Sequence, residues 1–189
     1  MRSLLALLFL SIASVDLMAQ TQPYNEIALD YTYLHTNAPP GGCGCFSMNG
    51  GSGSYAYYMA PQLAWVIEVG AVHAAKVDAS GLDLTLTSYL GGPRFYYRRS
   101  KARFVPYGQV LLGAVRATGG LAPANSGGAP SSTVFGSTLG GGVEFNLSRK
   151  ITLRVAQVDY FVTTFYNKVD DHQNNLRIST GVAYHFGKR

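Results

Sequence analysis

The sequence predicts an all-β protein, an eight-stranded antiparallel up-and-down transmembrane β-barrel, and three observations carry that prediction. The segment from Asn174 to Phe186 alternates without a slip. Leu176, Ile178, Thr180, Val182, Tyr184 and Phe186 fall on one face, and Asn175, Arg177, Ser179, Gly181, Ala183 and His185 on the other. A period of two with this contrast makes a strand between an apolar and a polar phase. The composition agrees: 13% charged residues, 12% aromatic residues and 22 glycines are poor in charge for a soluble domain and rich in the residues of barrel walls. Beyond the N-terminal leader no stretch is long and apolar enough for a membrane helix. A chain of this kind that spans a bilayer must close its sheet, because an open edge leaves backbone groups unpaired in lipid.

The leader occupies residues 1–19. Arg2 precedes an apolar run from Leu4 to Val15, too short to cross about 30 Å of hydrocarbon, and Leu17-Met18-Ala19 supplies a cleavage site. Cleavage is placed within a residue or two of Gln20, since Asp16 and Leu17 fit the pattern imperfectly. No cysteine follows closely enough for lipid attachment. Residues 20–189 then form one domain, and strands of about ten residues plus their connections divide that length into eight.

The strands follow in order. The first, Asn25 to His35, sets Ile27, Leu29, Tyr31 and Tyr33 against Glu26, Ala28, Asp30 and Thr32. The second, Gly53 to Met59, turns Tyr55, Tyr57 and Met59 outward. The third, Ala64 to Ala74, turns Trp65, Ile67, Val69 and Ala71 outward and Glu68 inward. The fourth starts with Leu82, Leu84 and Leu86 outward against Asp83, Thr85 and Thr87, and a bulge at Gly91-Gly92-Pro93 restarts the alternation for Arg94 to Tyr97. The fifth runs over Phe104 to Thr118, the sixth over Thr133 to Leu147, with Gly140-Gly141-Gly142 thinning the wall, and the seventh over Ile151 to Phe165.

Connections at Ala60 to Leu63, Arg98 to Arg103 and Asn146 to Lys150 are short. Those at Thr36 to Gly51, Ala75 to Gly81, Gly119 to Ser132 and Tyr166 to Asn174 are longer. This rhythm predicts periplasmic turns and external loops, with Cys43, Asn125 and Asp171 outside and Arg99 and Lys101 inside. The turns also carry Arg98, Arg103, Arg149 and Lys150, a basic rim suited to anionic lipid head groups. The net charge of +5 is spread over these turns without a binding motif, so no nucleic-acid partner is implied. Gly50-Gly51-Ser52-Gly53 precedes no helix and no Lys-Ser or Lys-Thr, so it is not a phosphate loop.

With Pro106-Tyr107-Gly108-Gln109-Val110, the run from Asp159-Tyr160 to Phe165, His172-Gln173-Asn174-Asn175-Leu176-Arg177 and the final Tyr184 and Phe186, the chain resembles the OmpA/OprF-type outer-membrane β-barrel family. It is similar to its barrel-only form and to acidobacterial outer-membrane β-barrel proteins. The resemblance implies a bacterial outer-membrane location, outer-membrane lipids as surroundings, and recognition of the final strand by the barrel-assembly machinery. The family's terminal strand usually ends on its aromatic residue, whereas here Gly187-Lys188-Arg189 follow. The peptidoglycan-binding domain of larger members is not carried over.

The candidate site is the lumen. Glu26, Asp30, Glu68, Arg94, Glu144, Arg154, Asp159 and Arg177 are expected inside a barrel too narrow to leave them in bulk water. Arg154 and Asp159 have opposite parity, so both point inward only with a bulge near Ala156. Two outcomes stand open: a plug of ion pairs, which the resemblance favours, or a narrow gated path for protons or small ions. Cys43 and Cys45 suit a small strained disulfide in an oxidising compartment, with copper(I) capture, free thiols or interchain pairing as alternatives. His35, His73 and His172 near the loop ends are candidates for zinc or, equally, for interfacial side chains with one wet end. No Gly-x-Ser-x-Gly elbow and no His-x-Ser pair appears, so no catalytic residue and no cofactor is assigned. The sequence thus predicts a non-enzymatic barrel with a structural or loop-mediated role, or a narrow pore, and it names no loop partner.

Overall fold

The computed structural model describes residues 25–36, 45–77, 82–99, 102–120, 131–165 and 172–187. They form eight strands: β1 (Asn25–Thr36), β2 (Phe46–Ala60), β3 (Leu63–Val77), β4 (Leu82–Tyr96), β5 (Phe104–Thr118), β6 (Ser131–Asn146), β7 (Ile151–Thr163) and β8 (Gln173–Phe186). Each pairs with the next, and β1 pairs antiparallel with β8, from Asn25 opposite Phe186 to Thr36 opposite Asn175, closing the barrel. Closure satisfies the edges that lipid would leave unpaired. The leader, Cys43, Lys101, Asn125 and Asp171 lie outside the described residues.

Alternation assigns each side chain to the wall's inner or outer face. On β1 Glu26, Ala28, Asp30 and Thr32 are buried inside while Ile27, Leu29 and Tyr31 are exposed outside. Trp65, Ile67 and Val69 on β3, Val110 and Leu112 on β5, and Ile178 and Val182 on β8 continue the exposed apolar belt. Aromatic residues crowd its turn end: Tyr57, Phe95, Tyr97, Phe104, Tyr184 and Phe186. This is the girdle of a bilayer-spanning barrel.

One bulge interrupts β7. Val143 faces Ala156 but Glu144 faces Arg154, and on the other side Arg154 and Gln157 face Gly181 and Ser179. Val155 and Ala156 therefore both point outward, and Arg154, Gln157 and Asp159 all point inward.

The fourth strand departs from the sequence expectation. Its pairing with β3 runs unbroken from Phe95 opposite Leu63 to Leu84 opposite Ala74, with no shift at Gly91-Gly92-Pro93. The parity that points Arg94 inward consequently reaches back through Leu90 and Leu86, which are buried, to Leu84, which packs against the same core. Asp83, Thr85 and Thr87 take the outer parity. The reason is that strands continue past the apolar belt at the loop end. There the outer face meets water, and the narrow interior is filled by apolar side chains, reversing the rule that holds within lipid. The same extension corrects β2, which begins at Phe46 and absorbs Gly50-Gly51-Ser52-Gly53 as paired strand. It also shortens the second loop, because Val77 still pairs with Leu82.

Candidate functional site

The inner face is stacked in three levels. At the turn end, Tyr58 on β2 and Tyr96 on β4 stack with ring centroids 5.3 Å apart, and Tyr107 on β5 packs against Tyr96 at 5.6 Å. Arg98, from the β4–β5 turn, lies over the Tyr58 and Tyr96 rings at 5.2 and 4.7 Å and donates to the Tyr58 hydroxyl at 3.2 Å. A guanidinium over aromatic faces closes this end with charge on the wet side.

The middle level holds the charges, and the barrel brings all eight sequence-selected residues into it. Arg154 donates through Nη1 to Asp30 Oδ2 at 2.6 Å and through Nη2 to Glu26 Oε1 at 3.1 Å and Glu144 Oε1 at 3.4 Å. Arg94 Nη1 stands 3.6 Å from Glu26 Oε1, and its Nε donates to Gln109 Oε1 at 2.8 Å. One turn of the wall nearer the loops, Arg177 donates through Nε and Nη2 to Asp159 Oδ2 at 3.0 and 2.7 Å and through Nη1 to Glu68 Oε1. Gln109 and Gln157 bridge the two groups, donating to Asp159 at 3.1 and 2.7 Å, and the Tyr107 hydroxyl donates to Gln157 at 2.6 Å. Arg94 and Arg154 also lie over the Tyr107 ring at 4.8 and 5.8 Å.

Local sequence explains why these long side chains fit. Gly181 pairs with Asp30 and Gly140 with Asp159, and a Cβ on either glycine would meet the aspartate Oδ1 at 2.3 or 2.4 Å. Glycine thus leaves the lateral space that each carboxylate fills. All eight charged residues are buried. Charges taken out of water persist when several hydrogen bonds replace hydration, and each of these guanidiniums reaches at least one carboxylate and a second acceptor. Five carboxylates (Glu26, Asp30, Glu68, Glu144, Asp159) share three guanidiniums, leaving the level formally anionic. His185 Nδ1 stands 3.6 Å from Glu26 Oε2, placed to add a positive charge when protonated.

The loop-end level is apolar and was not foreseen in the sequence. Leu34, Met48, Val72, Ala74, Val77, Leu86, Val115, Ala117, Phe161 and Phe165 fill the lumen, with Phe46, Leu84 and Val134 against them. Phe161 marks the boundary, its ring 5.7 Å from the Arg177 guanidinium. A cavity of about 20 Å3 remains there between Arg177, Thr32, Ser52 and Ser88, room for one water molecule. The missed signal was parity: counting back from Arg94 without a bulge puts Leu86 inside.

The other sequence candidates separate. Cys45 is exposed just before β2, while Cys43 lies outside the described residues. His35, His73 and His172 are exposed on the outer face or at a strand end. His35 Nδ1 is 3.2 Å from Ser47 Oγ and His73 Nδ1 2.9 Å from Thr85 Oγ1. Among the described residues no group of three His, Cys, Asp or Glu side chains is arranged to hold a metal ion. His185 Nε2 contacts Thr152 Oγ1 at 2.9 Å, a hydroxyl–imidazole–carboxylate chain with Glu26. Thr152 is only 1% exposed, so its hydroxyl has no space for a substrate carbonyl.

In sequence, residues 3–186 match the outer membrane protein beta-barrel domain family. No curated protein matches the chain. Among solved structures, the chain is similar to Neisserial surface protein A (NspA), with TM-score 0.65 and 16% identity over 86% of this chain and 97% of that one. It is also similar to Ail of Yersinia pestis, crystallised with the heparin analogue sucrose octasulfate, with TM-score 0.57 and 16% identity over 87% and 99%. The N-terminal β-barrel domain of Pseudomonas aeruginosa OprF gives TM-score 0.54 and 14% identity over 87% and 100%.

Proposed function

Because the chain belongs to the outer membrane protein β-barrel family, we propose that it is a non-enzymatic outer-membrane barrel with a structural role or a role in surface interactions made by its loops. The observation that carries this reading is the filled lumen. Arg98 and the tyrosines cover the turn end, ion pairs fill the middle, and an apolar core fills the loop end. A solute crossing the barrel would have to displace all three, and breaking a buried pair by removing a partner costs about 3–5 kcal/mol. With the interior occupied, recognition falls to loops held on a rigid wall. The surroundings are outer-membrane lipids, and the final strand with Tyr184 and Phe186 is the segment offered to the assembly machinery during insertion.

A second reading, a narrow path for protons or small cations, is favoured by one feature: the excess of buried carboxylates over guanidiniums. Planar-bilayer recording of refolded protein separates the two. The proposed plug gives no steady single-channel steps, and large, persistent conductance from the unmodified protein overturns it.

A further inference from the structure

The outer wall has a gap in an otherwise bulky belt. On β2 two successive outward positions are glycines, Gly51 and Gly53, before Tyr55, Tyr57 and Met59 resume the bulk, and they are flanked by Leu29 and Tyr31 of β1 and by Val69 and Ala71 of β3. Together they leave an outward furrow of about 520 Å3. The chain's own packing does not demand glycine at 53. A Cβ there would meet nothing nearer than Leu29 Cδ2 at 3.6 Å, ordinary contact, whereas a Cβ on Gly50 would strike the Ala71 carbonyl oxygen at 1.9 Å. The missing side chain at 53 keeps the furrow open to lipid.

The register places a cation one strand beyond Thr87, which lines the furrow, and three strands across the wall from Gly51. Tyr31, Gly51, Ala71, Thr87 and Arg116 form one outward cross-strand row over β1 to β5. Arg116 is exposed. Phe104 to Ala114 is eleven residues of β5, a full tilted span. Arg116 is therefore the first outward side chain past the hydrocarbon, at the height of lipid phosphates. One row nearer the loops stand Asn49, His73 and Thr85. Asp83, an outward acid two residues from Thr85, accepts the Gly120 N–H at 3.0 Å.

We propose that this face is a binding site for an anionic membrane lipid, one acyl chain lying in the Gly51–Gly53 furrow and the phosphate held by Arg116 with His73 and Thr85 beside it. Charge selects the occupant: the furrow alone accepts any acyl chain, and a guanidinium at phosphate height favours a net negative head group.

The test uses the folded full chain in nanodiscs of phosphatidylcholine with a minor fraction of phosphatidylglycerol. Lipids retained after gentle release are counted by native mass spectrometry, and heat-modifiable gel mobility reports folding. Wild-type protein enriches phosphatidylglycerol by about fivefold, as one arginine at an anionic head group supplies. Arg116→Gln removes the preference while retaining lipid. Gly53→Leu, whose Cβ meets only ordinary contacts, lowers the number of lipids retained, and Leu139→Ala on the far wall changes neither. Retention of the two lipids by wild type in the proportion present in the nanodisc, or a folded Gly53→Leu protein that retains as many lipids as wild type, overturns the proposal.

Discussion

Arg154 is the residue on which the middle of the barrel turns. It is fully buried and hydrogen-bonds across the lumen to Glu26 and Asp30 on β1 and Glu144 on β6, while projecting from β7. Removing it leaves three carboxylates sharing one guanidinium, Arg94, in a confined space. Arg154→Ala is therefore expected to cost about 3–5 kcal/mol, less where water enters, and to raise ion leakage from loaded vesicles. Adding Asp30→Asn removes one of the uncompensated charges, so the double variant is expected to lose less than the sum of the singles, by about 0.5–3 kcal/mol. Urea unfolding from lipid vesicles measures the cycle, and strict additivity would show that the pair does not act as a unit. The eight members of this network were legible as inward positions because a charged residue faces away from lipid, with Arg154 and Asp159 sharing the lumen only through the bulge near Ala156. Their partners were not legible. Which guanidinium meets which carboxylate depends on the closure of β1 on β8 and on the register beside the β7 bulge, and although the parity of Arg154 and Asp159 pointed to the bulge, no single strand's pattern contains the pairing across the lumen.

At the scale of the element, β8 and β4 show where alternation can be read and where it misleads. Every outward position of β8 from Leu176 to Phe186 is exposed in the belt, so polarity and parity agree throughout. Ile178→Arg or Val182→Arg should then cost about 2–4 kcal/mol near the bilayer midplane. Ser179→Ala, inward beside Thr32 at 3.2 Å, should cost far less, about 1 kcal/mol for one hydrogen bond. Similar losses in vesicle refolding for both kinds of change would reverse the face assignment. In β4 the leucines misled because only part of the strand lies in lipid. Leu86 is 7% exposed inside the apolar level and Thr87 lies on the outer face. Leu86→Ala is expected to cost about 2–5 kcal/mol by opening a cavity, and Thr87→Ala under 0.5 kcal/mol as a surface change. A Leu86→Ala barrel as stable as wild type would return this leucine to the outer face and restore the bulge.

The whole molecule is asymmetric along its axis, and that asymmetry fixes an expectation for its orientation. At one end the strand breaks are 61–62, 97–103 and 147–150, carrying Arg98, Arg99, Arg103, Arg149 and Lys150. At the other they are 37–45, 78–81, 119–130 and 164–172. Length alone discriminates less than the sequence suggested, since 78–81 is shorter than 97–103, but most of the basic residues in the connections sit at one end, the other connections carrying only Lys168. A basic rim at the turn end suits the anionic phospholipid head groups of the periplasmic leaflet, and an apolar plug at the loop end keeps the charged middle from opening outward. Single cysteines at positions 172 and 99, in a background with Cys43 and Cys45 replaced by serine, read the orientation on intact cells treated with a membrane-impermeant thiol reagent. Position 172 is expected to label without lysis and position 99 only after it. Labelling at 99 on intact cells, with 172 protected, would put the basic rim outside, invert the barrel and move the apolar level to the periplasmic mouth.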